Sequence, residues 1–236
     1  MAARTERRRA RVDTVLLDFD GTIMDTNGLI VRSWQHTFRT LTGNEAPVGQ
    51  ILNSFGELLP NTAERFFSAA RKEEAVRVYR AYHTDCFEDA IELFPGILEL
   101  LQTLKAERYL IGLVTSRLAH TTRQGLKKYD LCRYFDSLVT EEDTEKPKPD
   151  PAPILLSLRN LGRSPENAVM VGDTLHDIRC ARNAGVRAAL VSWSLAVPEA
   201  AKTGKDAPDF ILKTPAALPA ILRDLNAEPA PVGHTD

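Results

Sequence analysis

Val15-Leu16-Leu17-Asp18-Phe19-Asp20-Gly21-Thr22 is the stretch on which the reading of this chain turns. An apolar run that short, closed by turn residues, predicts a buried strand. Gly21 and Thr22 end it. Side chains alternate along a strand, so Asp18 and Asp20 share a direction if the strand holds through both. Two acids at the carboxyl end of a buried strand make a site for a divalent cation, a nucleophile or both. A capped strand end with solvated acids is the plain alternative. The apolar run before the acids and the Gly-Thr after them favour the functional reading.

Three further segments repeat the pattern. Leu110-Ile111-Gly112-Leu113-Val114 is a second apolar strand and runs into Thr115-Ser116. Glu145 to Pro151 is a Lys/Pro loop ahead of a helix. Ala168-Val169-Met170-Val171 is a third apolar strand ending in Gly172-Asp173, with Asp177 four residues on. A DxDGT strand end, a Thr/Ser strand end, a lysine and a GDxxxD strand end, in this order, resemble the haloacid dehalogenase-like hydrolases. The resemblance covers about residues 12–225.

That resemblance implies an α/β fold: a Rossmann-like parallel-sheet core with helices on both faces and an inserted α-helical cap. It implies a Mg²⁺-dependent phosphatase in which Asp18 is the nucleophile, forming an aspartyl-phosphate. Asp20 then protonates the leaving oxygen and later takes a proton from water. The expected metal ligands are the carboxylates of Asp18 and Asp173 and the main-chain carbonyl of Asp20, a hard oxygen set suited to Mg²⁺. Thr115, Ser116 and Lys148 are the expected phosphate-binding residues, since phosphoryl transfer needs charge neutralised and groups held in line. Lys146 also precedes a proline, but Lys148-Pro149-Asp150-Pro151 fits the family pattern better and leaves Lys146 as a surface residue. Asp177 is expected to steady the metal shell or pair with Lys148, against the alternative of a helix-surface acid. His176 between them is expected to face solvent.

Composition sets the outer bounds. The chain has 236 residues, 43% of them hydrophobic, with net charge −2. That is enough for a sizeable core of one large or two small domains, and it gives no case for nucleic-acid binding. No apolar run approaches the ~20 residues of a membrane span. No apolar segment follows the basic N-terminus, so no secretory signal is expected. Cys86, Cys132 and Cys180 are scattered, odd in number and without metal-type spacing, which suggests reduced thiols in a cytoplasm. Arg4, Arg7, Arg8, Arg9 and Arg11 make residues 1–11 a basic leader, read as flexible and solvated in preference to a nucleic-acid or membrane arm. Residues 226–236, with two prolines and a glycine, read as a flexible tail.

Between the first strand and the rest lies a different pattern. Leu29, Ile30, Trp34, Phe38 and Leu41 recur at helical spacing over 28–41. Residues 63–70 and 73–87 are further amphipathic stretches, their aromatics read as helix-packing core. With no strand-like run between Met24 and Phe94, the expected division is core 12–23 and 95–225 with a helical cap over 24–94. From Pro95, placed at a helix N1 position, strands and helices alternate. The strands expected are 110–115, 137–140, 168–172, 188–191 and 210–212. The helices expected between and after them are 118–129, 152–161, 175–184 and 215–225. Alternation predicts parallel strands and right-handed crossovers, with ligands bound beyond the strands' carboxyl ends. Strand order is not legible.

The substrate is less legible than the chemistry. Asp25-Thr26-Asn27, Thr115-Ser116-Arg117 and Gly172-Asp173-Thr174 look like the bacterial pyrophosphatase and phosphoglycolate phosphatase branch, with the Asp-Thr-Asn entry and the Trp193 region leaning to the pyrophosphatase. Asn27 and Arg117 are candidates for substrate contact or for surface roles. The partner expected is a small-molecule phosphate, with no nucleic acid and no membrane, the chain being a monomer or homodimer. A phosphosugar mutase of the same superfamily, a receiver domain and a non-catalytic phosphometabolite-binding regulator are the competing readings. The receiver ranks low because it would be about half this length and would lack the helical insertion.

Overall fold

The computed structural model describes residues 10–195 and 204–227. Arg4, Arg7, Arg8 and Arg9, and the tail beyond Ala227, lie outside the described residues. Along the chain, β1 (Thr14–Leu17) leads through a tight turn to β2 (Met24–Asp25) and then to α1 (Asn27–Thr42), α2 (Val48–Leu52) and α3 (Leu59–Ala90). β3 (Glu92–Leu93) returns to pair antiparallel with β2. The remainder alternates: α4 (Ile97–Ala106), β4 (Leu110–Val114), α5 (Ala119–Lys128), β5 (Ser137–Val139), α6 (Ala152–Leu161), β6 (Ala168–Gly172), α7 (Leu175–Asn183), β7 (Arg187–Val191), β8 (Phe210–Leu212) and α8 (Leu218–Asn226).

The main sheet runs β5-β4-β1-β6-β7-β8 with every neighbouring pair parallel, as expected of alternating strands and helices. Alternation along each strand sorts the core into two layers. Val15, Leu17, Ile111, Leu113, Val169 and Val171 face one side, packed with Leu101 and Leu104 of α4 and Leu218 and Leu222 of α8. Leu16, Val114, Ala168 and Met170 face the other, with Ile154 and Leu158 of α6 and Ile178 and Ala181 of α7. Both faces of the sheet are therefore covered, which is why its strands read as continuous apolar runs.

The helices between β2 and β3 have a third apolar cluster of their own, built on Trp34, Ile51, Ala63, Phe67 and Tyr79. Phe87, toward the end of α3, belongs instead to the sheet's core. At the far end of the chain, Asn226 exchanges hydrogen bonds with the backbone of Val12, both at 2.8 Å, which ties α8 to the entry of β1.

Three local expectations change. The β2–β3 ribbon occupies the junction where no strand was expected; two residues per strand are too few to show a period. Pro95 is not helical: Gly96, at φ 85, is the N-cap of α4, which starts at Ile97. The two amphipathic stretches read at 63–70 and 73–87 both lie in α3, which is broken at Ser68 (φ 69, ψ 164).

Candidate active site

β1 lies between β4 and β6. From β1 the chain builds outward through β4 to β5, then crosses to β6 on the opposite side. A sheet that reverses direction in this way opens a crevice beyond the carboxyl ends of the flanking strands. Asp18 follows β1, Thr115 follows β4 and Asp173 follows β6. The fold thus gathers residues 97 and 155 positions away from Asp18 at one spot, and Lys148 joins them from the loop before α6.

All four of these side chains are buried, and Asp177 with them. Lys148 Nζ donates to Asp18 Oδ1 at 2.9 Å, to Asp177 Oδ1 at 2.6 Å and to the Val114 carbonyl at 3.3 Å. Asp177 is held from the other side: its Oδ2 accepts from the Thr174 N–H at 3.1 Å and from Thr174 Oγ1 at 2.7 Å, a capping box that starts α7. The helix-surface alternative for Asp177 is therefore excluded.

Carboxylate oxygens of Asp18, Asp173 and Asp177 lie within 4.8 Å of one another. One ammonium faces three carboxylates, and the electrostatics record the imbalance. Burial, with the charges of Asp177 and Asp20, pushes Asp18 up to about 7 in spite of Lys148. Burial, with Asp177 and Asp18, pushes Asp173 well above the carboxylate range. Burial works against the charged form of Lys148 too, but the two aspartates prevail and hold it cationic. Asp173 Oδ2 accepts from Ser194 Oγ at 2.6 Å, whereas Oδ1 is buried with no hydrogen-bond partner. An orphaned carboxylate oxygen beside two more carboxylates fits a small divalent cation that prefers oxygen ligands.

The two motif glycines make room for these acids. Gly21 turns the chain at φ 71, and a Cβ there would stand 1.9 Å from Asp173 Oδ2. A Cβ on Gly172 would stand 2.3 Å from Asp177 Cγ.

Asp18, Thr115, Ser116, Lys148 and Asp173 line a cavity of about 70 Å³, with Asp20 at its edge. Thr115 is fixed through its N–H, which donates to the Val139 carbonyl at 3.0 Å. Asp20 points its carboxylate elsewhere. Its Oδ1 accepts from Thr26 Oγ1 at 2.7 Å and from Arg117 Nη2 at 3.1 Å, and its Oδ2 accepts from Arg117 Nε at 3.2 Å. Burial alone would raise Asp20; the Arg117 charge and the hydrogen bonds from Arg117 and Thr26 outweigh it and hold the carboxyl below its ordinary value.

The Arg117 side chain is largely enclosed, its guanidinium over Phe87 at 4.6 Å and Phe19 at 5.4 Å. It also donates to His83 Nε2, at 3.0 Å from Nη2 and 3.3 Å from Nη1. Arginine has no acceptor, so that imidazole nitrogen carries no proton. The ring N–H is at Nδ1 and donates to Ser33 Oγ at 3.2 Å, whose hydroxyl in turn donates to the Leu29 carbonyl at 2.8 Å. Burial and the neighbouring guanidinium push His83 down to about 3, in keeping with that neutral tautomer.

Of Arg117 and Asn27, left open between substrate contact and surface, Asn27 is buried and the Arg117 side chain is only 8% exposed; Asn27 Oδ1 accepts from Ser194 Oγ at 3.2 Å. Lys146 is exposed. His176 is not: it is half-buried, with Nδ1 enclosed and unbonded, because α7 starts against the Gly56 segment. Two residues escaped the sequence reading. Ser194 sits beyond the carboxyl end of β7, a position the strand-end rule would have flagged. His83 had a weaker signal, its i, i+4 spacing from Tyr79 and Phe87.

Residues 15–191 match the haloacid dehalogenase-like hydrolase family. The chain is 38% identical over 219 residues to the pyrophosphatase PpaX of Bacillus cereus, covering 92% of this chain and 99% of that one. A haloacid dehalogenase-like hydrolase from Streptococcus pneumoniae superposes with TM-score 0.79 at 26% identity, over 89% of this chain and 98% of its own. A predicted phosphoglycolate phosphatase from Haemophilus somnus shares the fold at TM-score 0.77 and 20% identity, over 90% and 98%. The chain belongs to the haloacid dehalogenase-like hydrolase family.

Proposed function

We propose that this protein is a Mg²⁺-dependent phosphatase that passes the phosphoryl group of a small substrate through Asp18. The observation that carries the proposal is Asp18 itself, at the end of the central strand, 2.9 Å from Lys148 and within a group of three buried carboxylates. Asp18 and Asp173, with the main-chain carbonyl of Asp20, would hold the Mg²⁺, and the unpartnered Oδ1 of Asp173 supports that fit. Asp177 lies close enough to take part. When bound, the ion supplies positive charge that offsets the phosphate's and the carboxylates' own.

The chain's residues do the rest. A carboxylate oxygen of Asp18 attacks phosphorus as the bond to the leaving oxygen breaks, and Asp20, having taken up a proton from solvent, gives it to that oxygen. Lys148, Thr115 and the N–H of Ser116 stabilise the charge on the transferring oxygens. Asp20 then takes a proton from water, the water oxygen bonds to phosphorus, and Asp18 leaves as a free carboxylate. Residues 24–94 act as a cap over this site, opening to admit substrate.

Pyrophosphate stands first among substrates, supported by the 38% identity to a pyrophosphatase over nearly the full length. 2-Phosphoglycolate stands second, on the motif resemblance. The same reading puts the enzyme in the cytoplasm, as a monomer or homodimer. No helix among the described residues is long and apolar enough to cross a membrane.

The test is phosphate release from pyrophosphate, 2-phosphoglycolate, nucleoside monophosphates and sugar phosphates, with Mg²⁺ and with excess chelator. One substrate should stand out with kcat/KM near ~10⁴ M⁻¹s⁻¹ or above, and chelation should stop turnover until Mg²⁺ is restored. Full activity in chelator, or isomerised sugar in place of free phosphate, would overturn the proposal.

A further inference from the structure

The phosphoryl-sized cavity has a neighbour. A second cavity of about 170 Å³ meets it at Asp20 and Ser116 and extends between the helices of residues 27–90 and the core. Asp18, Lys148 and Asp173 line only the first. A substrate with its phosphorus at Asp18 would therefore place its leaving group in the second. Trp34, Phe55, Tyr79 and His83 line it from the helices, and Arg117 from the core.

We propose that Arg117 selects the leaving group: it binds a second anionic group carried beside the transferred phosphoryl, a carboxylate or a phosphate, and releases Asp20 as it does so. The proposal rests on the phosphatase reading above and names the class of substrate within it.

Four observations converge. Asp20 cannot serve a leaving oxygen as it stands, because Arg117 reaches both its carboxylate oxygens and Thr26 one of them. Among the described residues Arg117 pairs with no anion other than Asp20, since His83 accepts as a neutral ring. The guanidinium fork that now holds one carboxylate in two-point contact matches another carboxylate or a phosphate equally well. Its guanidinium lies over the rings of Phe87 and Phe19 on a side chain only 8% exposed, where water competes little for its charge. The other charged residues of the lining have partners of their own: the Arg80 charge acts on Glu141, and Glu57 pairs with Arg65 at 2.9 Å. Exchanging Asp20 for a substrate anion keeps the buried guanidinium paired throughout, and Asp20 keeps its hydrogen bond from Thr26 while its second oxygen becomes free. The binding of the right leaving group and the release of the proton carrier become one event.

The experiment compares kcat/KM for 2-phosphoglycolate and pyrophosphate, whose leaving groups are anionic, with methyl phosphate, whose leaving group is not. Wild-type enzyme should prefer the first two. Arg117→Met should lower that preference roughly 10–100-fold, the range of one lost charge-assisted contact, and Arg117→Lys should recover part of it. Lys keeps the charge and also serves if the Met variant fails to fold. Equal losses on all three substrates would reduce Arg117 to a positioning residue for Asp20 and overturn the proposal, as would a wild type without the preference. Should wild type hydrolyse nothing, the phosphatase reading fails separately. Calorimetric titration of Asp18→Asn protein with 2-phosphoglycolate and methyl phosphate then decides: weakening by Arg117→Met confined to phosphoglycolate supports the site, and equal or no weakening refutes it.

Discussion

Lys148→Met isolates the electrostatic argument at the centre of the site. Methionine keeps an unbranched apolar stem of similar length, so packing changes little. What goes is the one ammonium between Asp18 and Asp177, at 2.9 and 2.6 Å. Removing one partner of a buried ion pair typically costs about 3–5 kcal/mol. The strain is already visible with Lys148 present: Asp18 stands at about 7 against an ordinary 3.8. At ~1.4 kcal/mol per pH unit, that rise withholds about 4 kcal/mol from the folded state above pH 7. The sign follows from the direction. A carboxyl raised in the folded state costs nothing below its unfolded value, and its cost grows as pH climbs from 3.8 toward the folded value. Without Lys148 the folded value moves higher still, so the variant's deficit should be largest at pH 8 and shrink toward pH 5. Urea unfolding in chelator, at pH 5, 6.5 and 8, measures this directly from the midpoint and slope. A deficit below about 1 kcal/mol at pH 8, or one equal at all three pH values, would refute the account of three carboxylates sharing one buried cation.

Asp18→Asn should abolish phosphate release while leaving the far-ultraviolet circular dichroism intact; near wild-type turnover would remove Asp18 as nucleophile. Asp20→Asn should be strongly impaired on alkyl phosphates and less so on aryl phosphates, whose leaving oxygens need no proton; equal losses would count against the acid role. Gly21→Ala should abolish activity and destabilise the fold, because the new methyl would lie at 1.9 Å from Asp173 Oδ2 at a position with φ 71; normal activity would mean that the turn adjusts freely. His83 stays neutral in the folded state down to about pH 3, against 6.5 when unfolded. Stability tied to it is present above 6.5 and is lost as pH falls from 6.5 toward 3. His83→Gln, which keeps an acceptor for Arg117, should therefore flatten the decline in stability between pH 6.5 and 4.5 by about 2–3 kcal/mol; an unchanged slope in urea unfolding would contradict the neutral tautomer.

What could be read in the sequence follows from where its constraints are local. Asp18, Thr115 and Asp173 each sit directly after a buried apolar run, so one rule about strand ends found all three. α6 was expected at 152–161 and spans Ala152–Leu161, because Pro151 before it and Gly162 after it punctuate the helix locally. Strand order is different: nothing in β4 or β6 states which flanks β1, since the choice is made by long crossovers packing on opposite faces. Ser194 and Arg117 were legible as residue types at strand ends, but their partners, Asp173 and Asp20, lie 21 and 97 positions away.

The cap helices show why a correct pattern can carry an incomplete meaning. Tyr79, His83 and Phe87 recur at i, i+4 and form one face of α3, which the sequence alone reads as packing. Packing is indeed what its ends do, Tyr79 in the cluster with Trp34 and Phe87 in the sheet's core. The aromatics stack along the helix, with Tyr79 and His83 rings 5.3 Å apart and His83 and Phe87 rings 5.7 Å apart. The same stripe thus runs from one hydrophobic cluster to the other, and its middle position meets Arg117. An imidazole there meets Arg117 as an acceptor and so fixes a core arginine from the cap side. A leucine at 83 would satisfy the helical period equally well and would leave Arg117 without that hold. The period reports that a face is buried; the chemistry at its centre depends on which surface it is buried against.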